Sequence, residues 1–205
     1  MTSHTSPADV RVAVGRLDLP QPRVAALAAT LSVEEVERAQ TMAADRARRF
    51  VAARGTLREL LGSLLGIAPA DVMIGYGAHG KPELDGPLRF SVSHSGEIVL
   101  IAVALGREVG VDVELVRRLF DRDGFARAVL ETEEQEAVTQ LPETARDSAL
   151  LAAWTRKEAL LKAVGEGLGP DPEAVIGKEA TRFTVHPLAP APGYIGALAV
   201  ERSAA

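Results

Sequence analysis

Three carboxylates and one lysine stand at spacings that suit phosphate chemistry with a divalent metal ion. Asp112 and Glu114 lie two residues apart in a strand-like run, and side chains at positions i and i+2 of a strand point to the same face. Glu158 and Lys162 lie four residues apart in a helical stretch and share a helix face, with Trp154 one turn earlier. Carboxylate oxygens suit Mg²⁺, which also takes phosphate oxygens and water. If the two elements meet, they form a site for a metal ion and a phosphate.

Each of these pairs also has an ordinary structural explanation. A lone Asp-x-Glu pattern is more often an exposed strand face, where water separates the two charges. A glutamate and a lysine four residues apart are more often a surface ion pair, which stabilises a helix by only about 0.2–0.5 kcal/mol. The spacing alone leaves these explanations open.

Ser93 and His94 end another strand-like run in a segment that also holds Ser91, Ser95 and Gly96. A Ser-His nucleophile pair is disfavoured here, because adjacent side chains of a strand point apart and no Gly-x-Ser-x-Gly elbow is present. Hydroxyls, an imidazole and turn amides are all hydrogen-bond donors, which favours phosphate binding. A polar strand end without a ligand is the alternative.

The composition disfavours several classes of protein. A net charge of −5 argues against a general nucleic-acid binder, and the lack of cysteine excludes disulfides, thiolate catalysis and thiolate-bound zinc. The polar start of the chain does not resemble a secretory signal, and no apolar run approaches the roughly 18 residues that cross a bilayer. We therefore expect a cytoplasmic protein that binds neither nucleic acid nor a membrane.

A cluster of arginines stands out against this acidic balance, at Arg46, Arg48, Arg49, Arg54 and Arg58. A positive patch on an acidic protein indicates a small anionic ligand or a local docking face. A solvated helix face explains the same pattern without a ligand.

The elements that must position these residues alternate between helices and short strands. The patterns predict strands at residues 10–14, 72–76, 88–93, 98–105, 109–115, 182–186 and 194–200, and helices at 45–65, 131–140 and 143–165. Ser32 and Glu35 predict a capping box for a further short helix. Gly106 and Arg107 form either a hairpin turn or a crossover between two halves. The order is not a strict βαβ repeat, which favours antiparallel sheets.

Taken together, these segments resemble the Sfp-type 4′-phosphopantetheinyl transferases. The Gly-x-Asp-x-Glu pattern of that family matches Gly110, Asp112 and Glu114, and its Trp-x-x-Lys-Glu-Ala-x-x-Lys pattern matches Trp154, Lys157, Glu158, Ala159 and Lys162. Further matches stand in the family's order, at Gly80-Lys81-Pro82, Ser93-His94, the helix with Arg49, Arg54 and Arg58, and the segment 165–168. The resemblance covers about residues 10 to 200.

The resemblance implies an α/β (α+β) fold of two similar subdomains related by a pseudo-twofold, each with helices packed on a small, mainly antiparallel sheet. Residues 1–106 would bind the nucleotide and 3′-phosphate of coenzyme A, and residues 107–205 would carry the magnesium and catalytic residues. Gly106 and Arg107 would then be a crossover. The implied reaction transfers 4′-phosphopantetheine from coenzyme A to a serine of an apo acyl- or peptidyl-carrier protein, and adenosine 3′,5′-bisphosphate leaves.

The resemblance also implies a role for each matching residue. Asp112, Glu114 and Glu158 would hold Mg²⁺, with Mn²⁺ as a possible substitute. Glu158 would also take the proton of the carrier serine, and Lys162 would stabilise the departing phosphate. The residues implied for coenzyme A binding are Arg49, Ser93 and His94 at the 3′-phosphate, Lys81 near the nucleotide, and Arg54, Lys157 and Lys162. One departure is that residues 33–44 contain a single basic residue, Arg38, where family members often have more.

The length of the chain favours the monomeric, fused form of the family over a smaller, trimeric type. Two other functions stay open at this point. One is a homologue that binds coenzyme A or a carrier protein without transfer, and the other is a different Mg²⁺-dependent phosphoesterase with water as the nucleophile. Carrier docking is expected on the apolar segment with Leu119, Phe120 and Phe125, directly after the acidic strand.

Overall fold

Two three-stranded antiparallel sheets and two long helices dominate the computed structural model, which describes residues 9–77, 79–165 and 172–203. The first half contains, in order, β1 (Val10–Arg16), α1 (Gln21–Ala28), α2 (Val33–Gln40), α3 (Ala44–Leu65), β2 (Gly75–Tyr76), β3 (Pro82–Glu83), β4 (Leu88–Ser95) and β5 (Ile98–Leu105). The second half contains β6 (Val109–Leu115), α4 (Arg122–Val129), α5 (Thr132–Thr139), α6 (Glu143–Val164), α7 (Pro172–Glu179), β7 (Phe183–Leu188) and β8 (Tyr194–Glu201).

The two halves share one strand order. The first sheet runs β1-β5-β4 and the second runs β6-β8-β7, so in each the first strand pairs with the third and the third with the second. Each half also has one 22-residue helix between its first and second long strands, α3 and α6. The expected fold of helices on small antiparallel sheets is therefore confirmed. Since β5 and β6 belong to different sheets, Gly106 and Arg107 form a crossover and not a hairpin turn.

The core is arranged in layers. Leu100 of β5, Val111 of β6 and Leu198 of β8 are fully buried together, because the two sheets pack against each other. The outer face of the first sheet packs on α3 through residues such as Leu61. On the second sheet, Ala159 of α6 lies against the strands. Residues that alternate with Val111 along β6, Asp112 above all, therefore face α6.

Most predicted elements are present, with small shifts at their ends. The capping box of α2 is confirmed, since Glu35 N donates to Ser32 Oγ at 3.3 Å and Ser32 N donates to Glu35 Oε2 at 3.0 Å. Helix α3 ends at Gly66 as expected, because this residue adopts a left-handed conformation with φ of 70°. Of the family-like segment 165–168, only Gly165 is among the described residues.

The strand predicted at 72–76 is mostly wrong, since only Gly75 and Tyr76 form a strand. The reason is a buried side chain. Arg58 donates to the carbonyls of Pro69 at 3.1 Å and Val72 at 2.9 Å, so an arginine holds this backbone in place of a neighbouring strand. Helices α1, α4 and α7 were not predicted; each is only eight residues long, and α1 begins among prolines, which also suit a turn.

Candidate active site

A close contact between β6 and α6 brings the predicted acids together. A methyl group on Gly110 would overlap the carbonyl oxygen of Ala159 and lie 3.0 Å from Cα of Ala163. Only glycine therefore lets the helix approach the strand this closely. The approach sets Glu158 and Lys162 of α6 over the face of β6 that carries Asp112.

Asp112 is buried, with 4% of its surface exposed, so the explanation of an exposed strand face is wrong for this residue. Its Oδ1 accepts hydrogen bonds from Lys162 Nζ at 2.6 Å and from Ser93 Oγ at 2.7 Å. Its Oδ2 is buried and has no hydrogen-bond partner. A buried carboxylate oxygen without a partner is costly, and such a group is a candidate for binding a ligand or an ion.

Glu158 lies next to this pair. Its Oε2 is 3.8 Å from Lys162 Nζ, its side chain is 12% exposed, and its Oε1 is buried without a hydrogen-bond partner. Burial raises the pKa of the Glu158 carboxyl; the charges of Asp112 and Glu114 raise it further, while the Lys162 ammonium opposes them. The anionic form of the Glu158 carboxyl is therefore disfavoured. Carboxyl groups that accept a proton from a substrate or bind a cation often have this property.

Glu114 completes the predicted acidic set at the half-buried end of β6, where its Oε2 accepts a hydrogen bond from Ser95 Oγ at 2.9 Å. Across the described parts of the chain, no group of three or more His, Asp and Glu side chains is arranged to hold a metal ion. The Lys162 ammonium lies against Asp112 instead. The two unpartnered oxygens, on Asp112 and Glu158, nevertheless fit a hard divalent cation, because such cations prefer carboxylate oxygen.

His94 and Arg49 lie in a second region, on the other side of β4. The exposed His94 and the side chain of Phe50 line two adjoining cavities of about 180 and 380 Å³. Arg49 lines the larger one, but its guanidinium is already engaged: Nη2 lies 2.6 Å from Glu97 Oε1, and Nη1 donates to the carbonyl of Gly96 at 2.6 Å. An anion that enters this cavity would compete with Glu97 for the guanidinium.

Two other arginines of the cluster, Arg54 and Arg58, differ in their surroundings. Arg54 lines the smaller cavity and donates to Tyr76 Oη at 3.2 Å, while its Nη1 is buried without a partner. Arg58 is 2% exposed and pairs with Glu35 at 2.6 Å. The motif position of Arg58 is therefore explained by the core, where a buried pair satisfies both charges.

Lys81 lies near Lys162, whereas Lys157 contacts a different helix. Lys81 Nζ bonds Glu108 Oε2 at 3.0 Å and the carbonyl of Ala163 at 3.2 Å, and its side chain borders a cavity of about 220 Å³ that Lys162 also lines. Lys157 Nζ lies 3.8 Å from Glu134 Oε2, at the side of α6 that meets α5. The structure thus brings together Asp112, Glu158, Lys162 and Ser93, and it does not bring Lys157 to them.

Comparison with known proteins decides the family. A family profile described as the 4′-phosphopantetheinyl transferase superfamily matches residues 108–195. A 4′-phosphopantetheinyl transferase, HetI, of Nostoc sp. is 36% identical over 181 residues, which are 85% of this chain and 76% of that protein. The chain belongs to the 4′-phosphopantetheinyl transferase superfamily.

Other relatives agree with this membership. A putative 4′-phosphopantetheinyl transferase of Synechocystis sp. is 32% identical over 78% of this chain and 67% of its own length. The 4′-phosphopantetheinyl transferase gsp of Aneurinibacillus migulanus is 27% identical over 58% of this chain and 53% of its own length. The family and the class of activity that the motifs predicted are confirmed.

Several residues of this transferase fold were missed as parts of the site. Ser91 and Ser95 bond β6, and Tyr194 Oη accepts a hydrogen bond from Glu97 N at 2.9 Å, at the turn that follows His94. The alternation of Ser91, Ser93 and Ser95 was a usable signal, because three hydroxyls on one strand face need partners. Nothing in the sequence pairs Tyr194 with that turn. Within the described ranges, no helix has the length and apolarity needed to cross a membrane.

Proposed function

We propose that this chain transfers the 4′-phosphopantetheine group of coenzyme A to a serine of an apo acyl- or peptidyl-carrier protein. The main support for this proposal is that Asp112, Glu158 and Lys162 lie together where β6 contacts α6. These residues come from the two motifs that resemble the family. Coenzyme A is the substrate that this family uses. The products are the holo-carrier protein and adenosine 3′,5′-bisphosphate.

In the proposed reaction, the hydroxyl oxygen of the carrier serine attacks the β-phosphorus of the coenzyme A pyrophosphate. The bond from this phosphorus to the oxygen bridging toward the α-phosphate breaks, and that oxygen leaves with adenosine 3′,5′-bisphosphate. Glu158 takes the serine proton, because its carboxylate lies beside Lys162 at the reacting end of the substrate. Lys162 donates a hydrogen bond to the departing phosphate and offsets its new charge.

The acids Asp112, Glu114 and Glu158 would hold Mg²⁺, and Mn²⁺ is a possible substitute. The metal, when bound, supplies positive charge that polarises the pyrophosphate. Support for these ligands is the buried, unpartnered oxygen on each of Asp112 and Glu158. The ammonium of Lys162 lies 2.6 Å from Asp112 Oδ1, so Lys162 would have to turn from this carboxylate toward the substrate phosphate for Asp112 to hold the metal.

Coenzyme A is proposed to extend from this acidic group to the basic region beyond β4. His94 and Arg49 would bind its 3′-phosphate, supported by their position on one cavity of about 380 Å³. Arg54 would add a contact through its free nitrogen, and Lys81 would lie near the nucleotide. Ser93 is bonded to Asp112 and Lys162, so we assign its hydroxyl to the reacting end of the substrate in preference to the 3′-phosphate.

Carrier docking is proposed on the segment that follows β6. Two of the three apolar residues expected to dock the carrier belong to the core and do not offer a docking surface. Leu119 is 7% exposed, and Phe125 packs edge-on against Trp154 with ring centres 6.0 Å apart. Phe120 is fully exposed, and Arg117 and Arg118 beside it are also exposed. An exposed apolar ring that follows two exposed arginines suits the surface of a small, acidic helical domain.

We assign residues 1–106 to nucleotide binding and residues 107–205 to the metal and the catalytic residues, in line with the repeated strand order. We further propose a monomeric protein, from the length of the chain, and a cytoplasmic location, from its composition.

The test is incubation of the purified protein with Mg²⁺, coenzyme A and a panel of apo-carrier proteins from fatty-acid, polyketide and nonribosomal-peptide systems. Intact-mass spectrometry should show the mass of one phosphopantetheine group added to at least one carrier, and to none whose acceptor serine is replaced by alanine. Cleavage of coenzyme A with no gain of mass by any carrier would identify a phosphoesterase. Binding of coenzyme A without cleavage would identify a non-catalytic homologue.

A further inference from the structure

We infer that Ser95 is a positioning residue that aims the carboxylate of Glu114, through a row of serine hydroxyls that joins the two sheets. The row consists of Ser91, Ser93 and Ser95 on β4. The part of the inference that concerns metal binding rests on the proposed function, because Glu114 is a proposed ligand of the metal.

The row lies where the edges of the two sheets meet. Strand β4 is at the edge of the first sheet and β6 is at the edge of the second, and no backbone ladder links them in the described residues. The edge strand β6 therefore offers backbone N–H groups that its own sheet does not use. A buried N–H group must find another acceptor, since leaving it unpaired costs about as much as a lost hydrogen bond.

The serine hydroxyls provide those acceptors. Val111 N donates to Ser91 Oγ at 3.1 Å, and Leu115 N donates to Ser95 Oγ at 3.1 Å. The offset is 20 residues in both cases, so the two strands run in the same direction with one fixed register. A slip of β6 by a single residue would place Val111 and Val113 where Asp112 and Glu114 now lie.

Ser95 acts at both of its hydrogen-bonding positions. Its oxygen accepts from Leu115 N, and its O–H group donates to Glu114 Oε2 at 2.9 Å. One hydroxyl therefore holds both the side chain of Glu114 and the backbone of Leu115, which are adjacent on β6. Because the oxygen is fixed by the backbone N–H group, the direction of its own donor is limited, and this limits where the Glu114 carboxylate can lie.

Ser91 makes the same contact with a backbone N–H group, but its hydroxyl does not bond a carboxylate in the described part of the chain. The two serines therefore separate two effects. Loss of Ser91 removes a link between the sheets, and loss of Ser95 removes a link between the sheets and the support of Glu114. Ser91→Ala is consequently a matched control for Ser95→Ala.

The experiment measures metal binding and amide exchange, with the intact protein and without a carrier. Mn²⁺ is titrated in the presence of coenzyme A, and the free ion is followed by electron paramagnetic resonance. Ser95→Ala should raise the dissociation constant for Mn²⁺ about 10-fold, since loss of a hydrogen bond to a metal ligand typically costs 10- to 100-fold in affinity. Ser91→Ala should change it less than about twofold.

Hydrogen exchange by NMR gives the second measurement. The Leu115 amide should exchange faster in Ser95→Ala, and the Val111 amide should exchange faster in Ser91→Ala. Ser95→Thr keeps the hydroxyl and should restore both the Mn²⁺ affinity and the protection of Leu115. This third variant answers the objection that Ser95→Ala only loosens the fold.

The outcomes separate the inference from the proposed function. Unchanged Mn²⁺ affinity in Ser95→Ala, together with normal binding by the unaltered protein, overturns the inference alone. Equal losses of affinity in Ser91→Ala and Ser95→Ala also overturn it, because the sheet contact would then be sufficient. Failure of the unaltered protein to bind Mn²⁺ overturns the proposed metal site, and the positioning role with it, but leaves the exchange result for Leu115 as a test of the contact itself.

Discussion

Lys162 lies between two carboxylates that would otherwise repel each other. Its ammonium is 2.6 Å from Asp112 Oδ1 and 3.8 Å from Glu158 Oε2. Burial is the main cause that raises the pKa of Glu158; the charges of Asp112 and Glu114 raise it further, and the Lys162 ammonium opposes them. A proton or an additional cation near Glu158 would therefore stabilise the group.

Glu158→Gln tests this role at the scale of one residue. The amide keeps the shape but cannot accept the serine proton, so the rate of transfer should fall by about 10²- to 10⁴-fold. The dissociation constant for coenzyme A in the absence of metal should change much less, because Glu158 is not placed at the nucleotide. Stopped-flow transfer assays and calorimetry give the two quantities.

Glu133→Gln is the control for this change, since Glu133 is exposed on α5 and forms no ion pair within the described ranges. It should transfer at the normal rate. Equal losses of transfer and of coenzyme A affinity in Glu158→Gln would assign Glu158 to ligand binding alone.

Gly110 matters at the scale of elements, because it sets the distance between β6 and α6. The strand carries Asp112 and the helix carries Glu158, so this distance decides whether the acids meet. Ala159 and Ala163, both fully buried, supply the small surface of the helix at the contact. The glycine of the motif is thus explained by packing and not by backbone flexibility.

Gly110→Ala should push α6 away from β6. Overpacking of this kind costs about 1–3 kcal/mol or more, because the overlap is with a backbone carbonyl that cannot rotate away. We expect a melting temperature lower by about 5 °C and a transfer rate reduced more than about 10-fold. Differential scanning calorimetry and the transfer assay measure these effects.

Gly177→Ala is the matched substitution on α7, where a methyl group meets nothing within 4 Å. It should be neutral or slightly stabilising, since alanine is the better helix former. A normal transfer rate in Gly110→Ala would refute the spacing argument.

The ion pair of Arg122 with Asp147 joins α4 to α6 through two bonds, of 2.8 and 3.0 Å. The hydrogen bonds from Arg122 hold the pKa of the Asp147 carboxyl below its usual range. Because the pKa is lower in the folded chain, the pair stabilises the fold above the unfolded pKa of about 3.9, and this contribution is lost as the pH falls through the folded value.

Asp147→Asn should therefore lower the melting temperature by about 2–4 °C at pH 7 and by less as the pH falls below about 4. Melting curves at a series of pH values measure the difference. Asp85→Asn, at an exposed loop aspartate without an ion pair in the part of the chain that the structure describes, should leave the curves unchanged. A difference that stays constant down to pH 2 would contradict the assignment.

For the molecule as a whole, the segment between β6 and α4 carries exposed side chains outside the core that the two sheets share. This segment holds Phe120, which is fully exposed, and two exposed arginines. A large aromatic side chain in water is a candidate anchor for a partner. Because this segment follows β6, a carrier bound at Phe120 would lie next to the strand that carries Asp112 and Glu114.

Phe120→Ala should raise the KM for the carrier protein about 5- to 10-fold, as expected for an aromatic anchor, without changing the KM for coenzyme A. Stability should not change, because the ring makes no core contact. Leu105→Ala, at another exposed apolar residue, serves as the control. An unaltered KM for the carrier in Phe120→Ala would move the docking surface elsewhere.

The longer helices and strands and the family could be predicted from the sequence alone, whereas the eight-residue helices α1, α4 and α7 could not. Periodicity located both 22-residue helices and the long strands, because packing on one face leaves a pattern in the residues nearby in sequence. The order and spacing of the motifs identified Asp112, Glu114 and Glu158 as site residues, because each motif is a short segment in which the spacing of the residues is fixed.

Contacts between distant segments were decided only by the tertiary structure. The pairing of Ser95 with Glu114, the burial of Arg58 against Glu35 and the overlap that makes Gly110 necessary each join residues from different elements. The sequence pattern also suits an exposed strand position for Asp112, and only the position of α6 shows that this residue is buried. Its burial, and with it the chemistry of the site, depends on how closely a helix and a strand about 45 residues apart can approach.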